Sequence, residues 1–425
     1  MPKKRLILLL DSYPYNYGEY PFLKNELPLL TERYDVSILC RYPGEAQEET
    51  VDPKIRVYHT VPKFDLAAKL ETAAAMLFTK AGRRELSEII KSKGNYAVKL
   101  YESLSYLGCA REIRKYAKKE LLSDPEEELL VYSFWFNSSC LAFLQEKRHF
   151  PKMKVVSRIH GYDLYRERTA AGRQPFRSYM KESVDRIFFI ARNGMQYFAD
   201  TWNQGECDSK YRFAPLGTVP GPKREADGTE GKNRDDFLLV SCANCIPLKR
   251  IELIGEALAL LTKEELTGGS IRWVHFGDGD LLDELKRQAD EINRSDGPVT
   301  ARMEGFVLSE EILAYYGEQM PDGFITTSST EGCPVSIQEA MCYGIPIIGT
   351  AVGEIPQMID KNGTLLSADP AADEVKEAIL KLYLDSQDPK KRRMMHDRSF
   401  ELWQQTYDAR KNGLLFCEEL ERLFS

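Results

Sequence analysis

The sequence predicts an α/β protein of two doubly wound domains facing a cleft, followed by a C-terminal helical tail. Three observations carry that expectation. Short apolar runs alternate with segments of helical period along most of the 425 residues, which is the pattern of parallel sheets covered on both faces. The length exceeds what one core accommodates, at roughly 150 residues per domain. The alternation lapses once, over 219–236, a stretch of Gly, Pro and charge with no periodic apolar residue, as expected of an interdomain linker.

The first series places strands at Leu6–Leu10, Val36–Cys40, Leu129–Tyr132, Val155–Ile159 and Ile187–Ile190, with helices such as Pro21–Arg33 and Leu104–Leu122 between them. The opening Met1-Pro-Lys-Lys-Arg-Leu-Ile-Leu-Leu-Leu10 has the charge and apolar order of a signal peptide. Its apolar run is short and Asp11 ends it with no cleavage site, so it reads as a buried first strand. The second series places strands at Phe237–Ser241, Ile271–Phe276, Thr300–Glu304, Gly323–Thr327, Ile345–Gly349 and Thr364–Leu366. Helices are expected at Ile251–Leu261, Leu281–Ile292 and Ser336–Tyr343, and the tail over Lys391–Phe424. The domains are thus 1–218 and 237–390, with a linker at 219–236 and a tail at 391–425 that can return to the first domain.

Composition narrows the classes. With 43% hydrophobic and 29% charged residues the chain can build real cores. A net charge of −7 disfavours nucleic acid as a partner. The charge is uneven: Lys63–Glu120 holds 13 Lys and Arg against 7 Asp and Glu, a balance of +6 that leaves −13 for the rest. Such a segment reads as solvated helix faces or as a surface for an anionic membrane or a lipid-linked acceptor. No apolar run is long enough to cross a bilayer, so the expected location is cytoplasmic, with peripheral contact at the inner face of the cell membrane as a second reading. The nine cysteines follow no disulfide spacing, and Cys242-x-x-Cys245 has no further ligands nearby, so it reads as a strand end.

The segment Thr326–Gly349 carries the chemistry. A strand ends near Thr327, Pro334 sits at a helix start and Gly344 at its stop. Glu331 then lies in the loop and Glu339 on the helix. The amides near Val335 and Ser336 form a positive helix end suited to a diphosphate. A carboxylate on the helix can accept from ribose hydroxyls, and one in the loop can hold sugar hydroxyls. A capped helix with two exposed glutamates accounts for the same residues equally well.

Glu331-x7-Glu339 with Ala340-Met341 and Gly344-Ile-Pro346 resembles the E-x7-E motif of the family 4 retaining glycosyltransferases, which have the GT-B fold of two Rossmann-like domains. Further segments are similar in the same order: Ser241–Arg250 with Lys249, His275–Leu281, Glu304–Val307 and Thr350–Pro356. More loosely, Ser157–Tyr165 and Glu19–Glu26 resemble bacterial exopolysaccharide and colanic-acid-type members, and Pro215-Leu-Gly217 marks the handover to the linker.

The resemblance implies transfer of a sugar from a nucleotide diphosphate sugar to a glycan or lipid-linked acceptor, with retention, in cell-surface polysaccharide biosynthesis. Implied catalytic residues are Glu331 on the donor sugar, His160 beside sugar and phosphate, and Lys249 on the phosphates. Implied donor contacts are Arg250, Cys333, Val335, Ser336, Glu339, Phe306 and Val307, with Gly18, Glu19 and Arg158 on the acceptor side. Asn244 stands where many members carry an arginine, which gives Arg250 the expected role of second phosphate cation. No metal and no cofactor are expected, because Lys249 and Arg250 can neutralise the leaving diphosphate and Asp278-x-Asp280 sits in a Gly-rich turn. The alternatives are a nucleotide-sugar epimerase of the same architecture and a non-catalytic nucleotide-sugar-binding subunit.

Overall fold

A computed structural model describes residues 3–15, 17–44, 50–61, 65–219 and 236–424. Most of the expected linker, 220–235, and Lys63 at the start of the basic segment lie outside the described residues. The chain divides into two compact units, Met1–Ala214 with Gly413–Ser425, and Pro215–Asn412.

Unit 1 is built on a seven-stranded parallel sheet of β1 (Lys4–Leu10), β2 (Tyr34–Cys40), β3 (Arg56–His59), β4 (Leu129–Ser133), β5 (Lys154–Ile159), β6 (Arg186–Phe189) and β7 (Tyr211–Phe213). Its order is β3-β2-β1-β4-β5-β6-β7. The central strands are buried over most of their length, all five residues in β4 and all but one or two near the start in β1, β2 and β5. That is why they read as continuous apolar runs rather than alternation. The edge strands β3 and β7 have no place in the expected list. Each is short, and β3 is exposed or half-exposed throughout, so neither leaves an apolar run to find.

Unit 2 holds a six-stranded parallel sheet: β8 (Asp236–Cys242), β9 (Ser270–Phe276), β10 (Val299–Met303), β11 (Gly323–Thr326), β12 (Ile347–Thr350) and β13 (Gly363–Leu366). Its order, β10-β9-β8-β11-β12-β13, repeats that of unit 1 without the last strand. In both units the strand order reverses beside the first strand, at β1/β4 and at β8/β11. Ligands of open α/β sheets sit outside the carboxyl ends at such a point. Helices cover both faces of this second sheet, with apolar cores around Trp273 on one side and Tyr316 on the other.

Two expected helices are broken. Pro21–Arg33 divides into Tyr20–Leu23 and Leu27–Arg33, because Pro28 lacks the amide that a continuous helix needs and suits the first turn of a new one. The tail divides into Pro389–Thr406 and Ala409–Glu421, and Asp408 at the break bridges Thr218. Unit 2 therefore begins at Pro215 and not after 218. An added Cβ on Gly217, at φ 85°, would lie 2.5 Å from the Tyr407 carbonyl oxygen, and the Trp403 indole donates to Thr218 Oγ1 at 2.8 Å. The final turns belong to unit 1, where Phe416 packs on Tyr132 and Phe188 with centroids 5.0 and 4.7 Å apart.

Candidate active site

In unit 2 the loops after β8 and β11 flank the reversal point, and hydrogen bonds join them. Ser329 N donates to Leu248 O at 2.9 Å, and Thr327 Oγ1 donates to Arg250 O at 2.8 Å. Thr350 Oγ1, at the end of β12, donates to Ser328 O at 2.6 Å. This frame brings Lys249 Nζ within 2.5 Å of Glu331 Oε1, although the two are 82 positions apart in sequence. Both side chains are largely covered, with 23% and 11% of their surface exposed, so each charge is felt more strongly than it would be in water.

Glycine is required where these loops cross. Gly353 has φ 58°, and a Cβ there would sit 2.4 Å from the Glu331 carbonyl oxygen. The Glu354 amide beside it donates to Gly332 O at 2.9 Å. Gly277, at φ 151°, passes so near the loop after β8 that a Cβ would come within 1.8 Å of Ala243 O. The Asp278-x-Asp280 turn is fastened there, with Cys245 N donating to Asp278 O at 2.8 Å. Burial pushes the Cys242 and Cys245 thiols up to about 12 and about 11, which keeps both unreactive.

The helix after the Glu331 loop is Val335–Cys342, and Pro334 caps it without a side-chain acceptor. Among the described residues the amides of Val335 and Ser336 meet no protein acceptor, so they form the positive end the sequence leads one to expect. Cys333 takes a hydrogen bond from Gln338 Nε2 at 3.2 Å, and burial raises its thiol well above the ordinary range. Glu339 is half-buried and accepts from Ser309 Oγ at 2.7 Å. In the run after β10, Phe306 is 68% exposed, and Val307 packs against the core around Tyr316.

Arg250 departs from its expected role as a free second cation. It has left-handed φ and ψ of 47° and 43° and precedes helix Ile251–Ala259. Its Nε donates to Thr327 O at 2.7 Å, Nη1 reaches Asp369 Oδ1 at 2.5 Å, and Nη2 reaches Ser328 O and Ala368 O at 3.2 and 3.0 Å. The guanidinium fork thus clamps the loops, and its charge is paired with Asp369 as that of Lys249 is with Glu331.

In unit 1 the ligand end is aromatic. The His160 ring lies against Phe134 and Trp135, with centroids 4.6 and 4.4 Å away. Among the described residues neither of its ring nitrogens has a hydrogen-bond partner, and the residue is only 8% exposed. Burial, helped by the Arg158 charge, holds its pKa well below 6.5, so the imidazole is neutral near pH 7 with one donor and one acceptor to offer. Asp163 fixes the backbone here, accepting from His160 N at 2.8 Å and Phe136 N at 2.7 Å.

The three expected acceptor-side residues are placed unevenly. Gly18 is exposed in a short 3-10 turn. Glu19 is buried, and its carboxylate accepts the amides of Asp11, Ser12 and Tyr13 at 3.0, 2.8 and 2.8 Å and the Trp135 indole at 2.5 Å. It shapes the loop after β1. Arg158 is enclosed in an ion pair with Glu26 at 2.7 Å and lies 4.4 Å from the Phe416 ring, a buried position. Beside His160, other groups stand at the carboxyl ends of β1, β4 and β5 that the sequence did not single out as site residues, although Tyr162 lies within the Ser157–Tyr165 segment. Asp11 links Arg41 at 2.8 Å, Asn137 at 3.0 Å and the exposed Tyr162 hydroxyl at 3.2 Å. Only the strand order, which pairs β1 with β4 and β4 with β5, points to them.

The fold, two parallel Rossmann-like sheets with a helical C-terminal end, is GT-B. Residues 222–401 match the family model described as glycosyl transferases group 1, and this supports a role in glycosyl transfer. One curated relative, the amylovoran biosynthesis glycosyltransferase AmsK of Erwinia amylovora, is 30% identical over 130 residues, which is 29% of this chain and 30% of the relative's length. Among solved structures, sucrose-phosphate synthase from Thermosynechococcus elongatus superposes with a TM-score of 0.67 at 16% identity over 99% of both chains. Anabaena HepE in complex with UDP-glucose gives 0.61 at 13% identity, covering 98% of this chain and 99% of that one. At such identities these two likenesses concern the fold.

Proposed function

We propose that the chain is a retaining, metal-independent glycosyltransferase that moves a sugar from a nucleotide diphosphate sugar to a glycan or lipid-linked acceptor in cell-surface polysaccharide biosynthesis. The observation that carries the reading is the Lys249–Glu331 pair at the β8/β11 reversal point, with Glu331 in the loop that leads to the amides of Val335 and Ser336, which meet no acceptor among the described residues. A cation and helix amides at such a point would suit a diphosphate, and a carboxylate there would suit a sugar hydroxyl, which supports the reading.

Cleaving the bond from the anomeric carbon to the phosphate oxygen sends the electron pair to the diphosphate. Lys249 and the helix end stabilise that growing negative charge. Glu331 accepts from donor hydroxyls and orients the ring, and Glu339 accepts from the ribose. Exposed Phe306 offers a face to the base. By the family resemblance, the acceptor oxygen bonds to the anomeric carbon on the face that the phosphate leaves, and its proton passes to the departing phosphate oxygen. The resemblance also assigns the neutral His160 to the donor sugar. Arg250 keeps a positioning role, since its donors hold the loop that carries Lys249.

The test begins with a thermal-shift screen of nucleoside diphosphates and nucleotide sugars, where a ligand at about 100 times its dissociation constant adds roughly 2.7 kcal/mol. The stabilising donor is then assayed with candidate acceptors in excess chelator. Turnover with retained anomeric configuration is expected. Isomerisation of the donor without an acceptor would point to an epimerase, binding without turnover to a non-catalytic subunit, and loss of activity in chelator would refute metal independence.

A further inference from the structure

Helix Leu66–Phe78 begins well capped, with the Asp65 carboxylate accepting from Ala68 N at 2.8 Å. It packs on unit 1 through Thr72, Ala75 and Met76. A helix with one buried side ordinarily turns charge to water on the other. Here the outer side is apolar as well. Leu66, Leu70, Ala73, Ala74 and Leu77 follow the i, i+4, i+7, i+8, i+11 spacing of a single stripe, and all are exposed. Leu66, Leu70, Leu77 and Phe78 are uncovered by 73, 65, 56 and 79%. Scattered exposed leucines need no explanation, but a continuous stripe of this kind marks a contact surface.

The charges around the stripe identify what covers it. On one flank stands Lys69, and just past Phe78 stand Lys80 and Arg83, exposed on the next helix, Lys80–Lys91. Among the described residues none of these three enters an ion pair, whereas Arg84 is bound to Glu88 and Glu182. The single acid on the outer side, Glu71, is neutralised by Arg111 and Lys115 at 2.8 and 2.7 Å. The margin is therefore cationic within a chain of net charge −7. Pairing with a second copy through this face would set Lys69, Lys80 and Arg83 near their own equivalents, a repulsive arrangement for a two-fold interface. An anionic lipid surface matches both halves of the pattern. At 13 residues the helix is about 20 Å long, too short to cross a bilayer and suited to lying in its interface.

We propose that helix Leu66–Phe78 is a reversible membrane-docking element. Its Leu/Ala/Phe stripe enters the headgroup boundary of an anionic bilayer, while Lys69, Lys80 and Arg83 hold the phosphates. The reading stands apart from the donor site, because the readout is binding. The full chain is sedimented with phosphatidylcholine vesicles with and without phosphatidylglycerol, at low and high salt. Binding is expected only with phosphatidylglycerol, fading as salt rises from about 0.1 to about 1 M. The triple change K69Q/K80Q/R83Q should weaken partitioning on the order of 100-fold, since each basic residue near an anionic surface contributes about 1 kcal/mol, or fivefold. L70S/L77S/F78S should abolish binding while the melting temperature holds or rises. Equal binding to neutral vesicles, no binding to anionic ones, or triple variants that pellet like the parent would overturn the proposal. So would a dimer of the parent chain, seen by sedimentation velocity, that L70S/L77S/F78S converts to monomer.

Discussion

The two units wind their strands in the same order around the same kind of reversal point, yet their ligand ends are made of different material. In unit 2 the end is polar and cross-bonded: three loops share hydrogen bonds, glycines permit their crossing, and a cation meets a carboxylate at 2.5 Å. In unit 1 an imidazole with no hydrogen-bond partner among the described residues is stacked on aromatic rings, and the charged group there, Asp11 with Arg41, is joined to Asn137 and Tyr162. One topology thus supports two chemistries, and the loop after each strand sets which one. In the proposed transfer, the paired cation and carboxylate of unit 2 would suit charge that grows during the reaction, and the stacked imidazole of unit 1 would suit a hydroxyl-bearing molecule.

The largest effect expected from this contrast lies in the pair itself. Glu331→Ala should lower kcat on the order of 100-fold or more, because the interaction with the reacting sugar strengthens toward the transition state. It also releases Lys249 from its partner, so the affinity for free nucleoside diphosphate should hold or increase. Lys249→Ala should harm both kcat and nucleotide affinity, with a lost charge-assisted contact costing roughly 1.5–3 kcal/mol. Steady-state kinetics together with titration of the diphosphate separates the two. Near-normal turnover of a folded Glu331→Ala would remove the sugar from this loop.

A second effect compares one buried histidine with another. His275, on β9, bonds Ser241 Oγ at 2.8 Å through Nδ1, and the same oxygen receives the Trp273 indole at 2.9 Å. Burial lowers its pKa from 6.5 to about 4. His275→Phe should cost about 1–3 kcal/mol by leaving that network incomplete. His160→Phe breaks no protein hydrogen bond and keeps the stack, so the melting temperature should stay level or rise while kcat falls up to about tenfold. The pH dependence comes from the direction of both shifts. Both histidines are depressed in the folded chain, so below pH 6.5 the unfolded chain binds more protons. Their contribution to stability is therefore full above that pH and declines as pH falls toward about 4, offset in part by Asp163, whose carboxyl burial raises to about 6. Calorimetry from pH 7.5 to about 4.5 should show the decline, and His275→Phe should flatten it. If His160→Phe destabilises as His275→Phe does and leaves kcat intact, His160 is a packing residue and the contrast between the units fails.

The same contrast explains what could be read in advance. Unit 2 was legible because its loops cross at distances only glycine tolerates and because its helix start and stop carry Pro334 and Gly344. Such constraints leave fixed residue types at fixed spacing. The buried strands of both sheets were legible as apolar runs, and β3 and β7 were not, because short edge strands need no such run. Arg250 and Arg158 show the limit in the other direction. A sequence gives an arginine its charge but not its partners, and both guanidinium groups proved to be engaged with the protein, at Thr327, Ser328 and Asp369 in one case and at Glu26 in the other. The grouping of Asp11, Asn137 and Tyr162 depends on strand order, which no local pattern encodes.

The smallest effect separates binding from structure at Glu339. Its position on helix Val335–Cys342 suits acceptance from a ribose, but the Ser309 hydroxyl already occupies Oε1 at 2.7 Å and ties the site to the start of helix Ser309–Gln319. The ribose changes little during the reaction, so its loss should appear in KM and in nucleotide affinity while kcat stays nearly constant. Glu339→Gln keeps an acceptor oxygen for Ser309 and removes the charge. It should raise KM about three- to tenfold, the weight of one hydrogen bond to a charged group set against a neutral one, with no change in melting temperature. Ser309→Ala removes the hydroxyl that donates to the carboxylate and should leave KM unchanged or lower it, at a cost to stability of about 1 kcal/mol. A fall in kcat equal to the rise in KM for Glu339→Gln would instead place this carboxylate with Glu331 at the reacting sugar, and the division of labour within unit 2 would have to be redrawn.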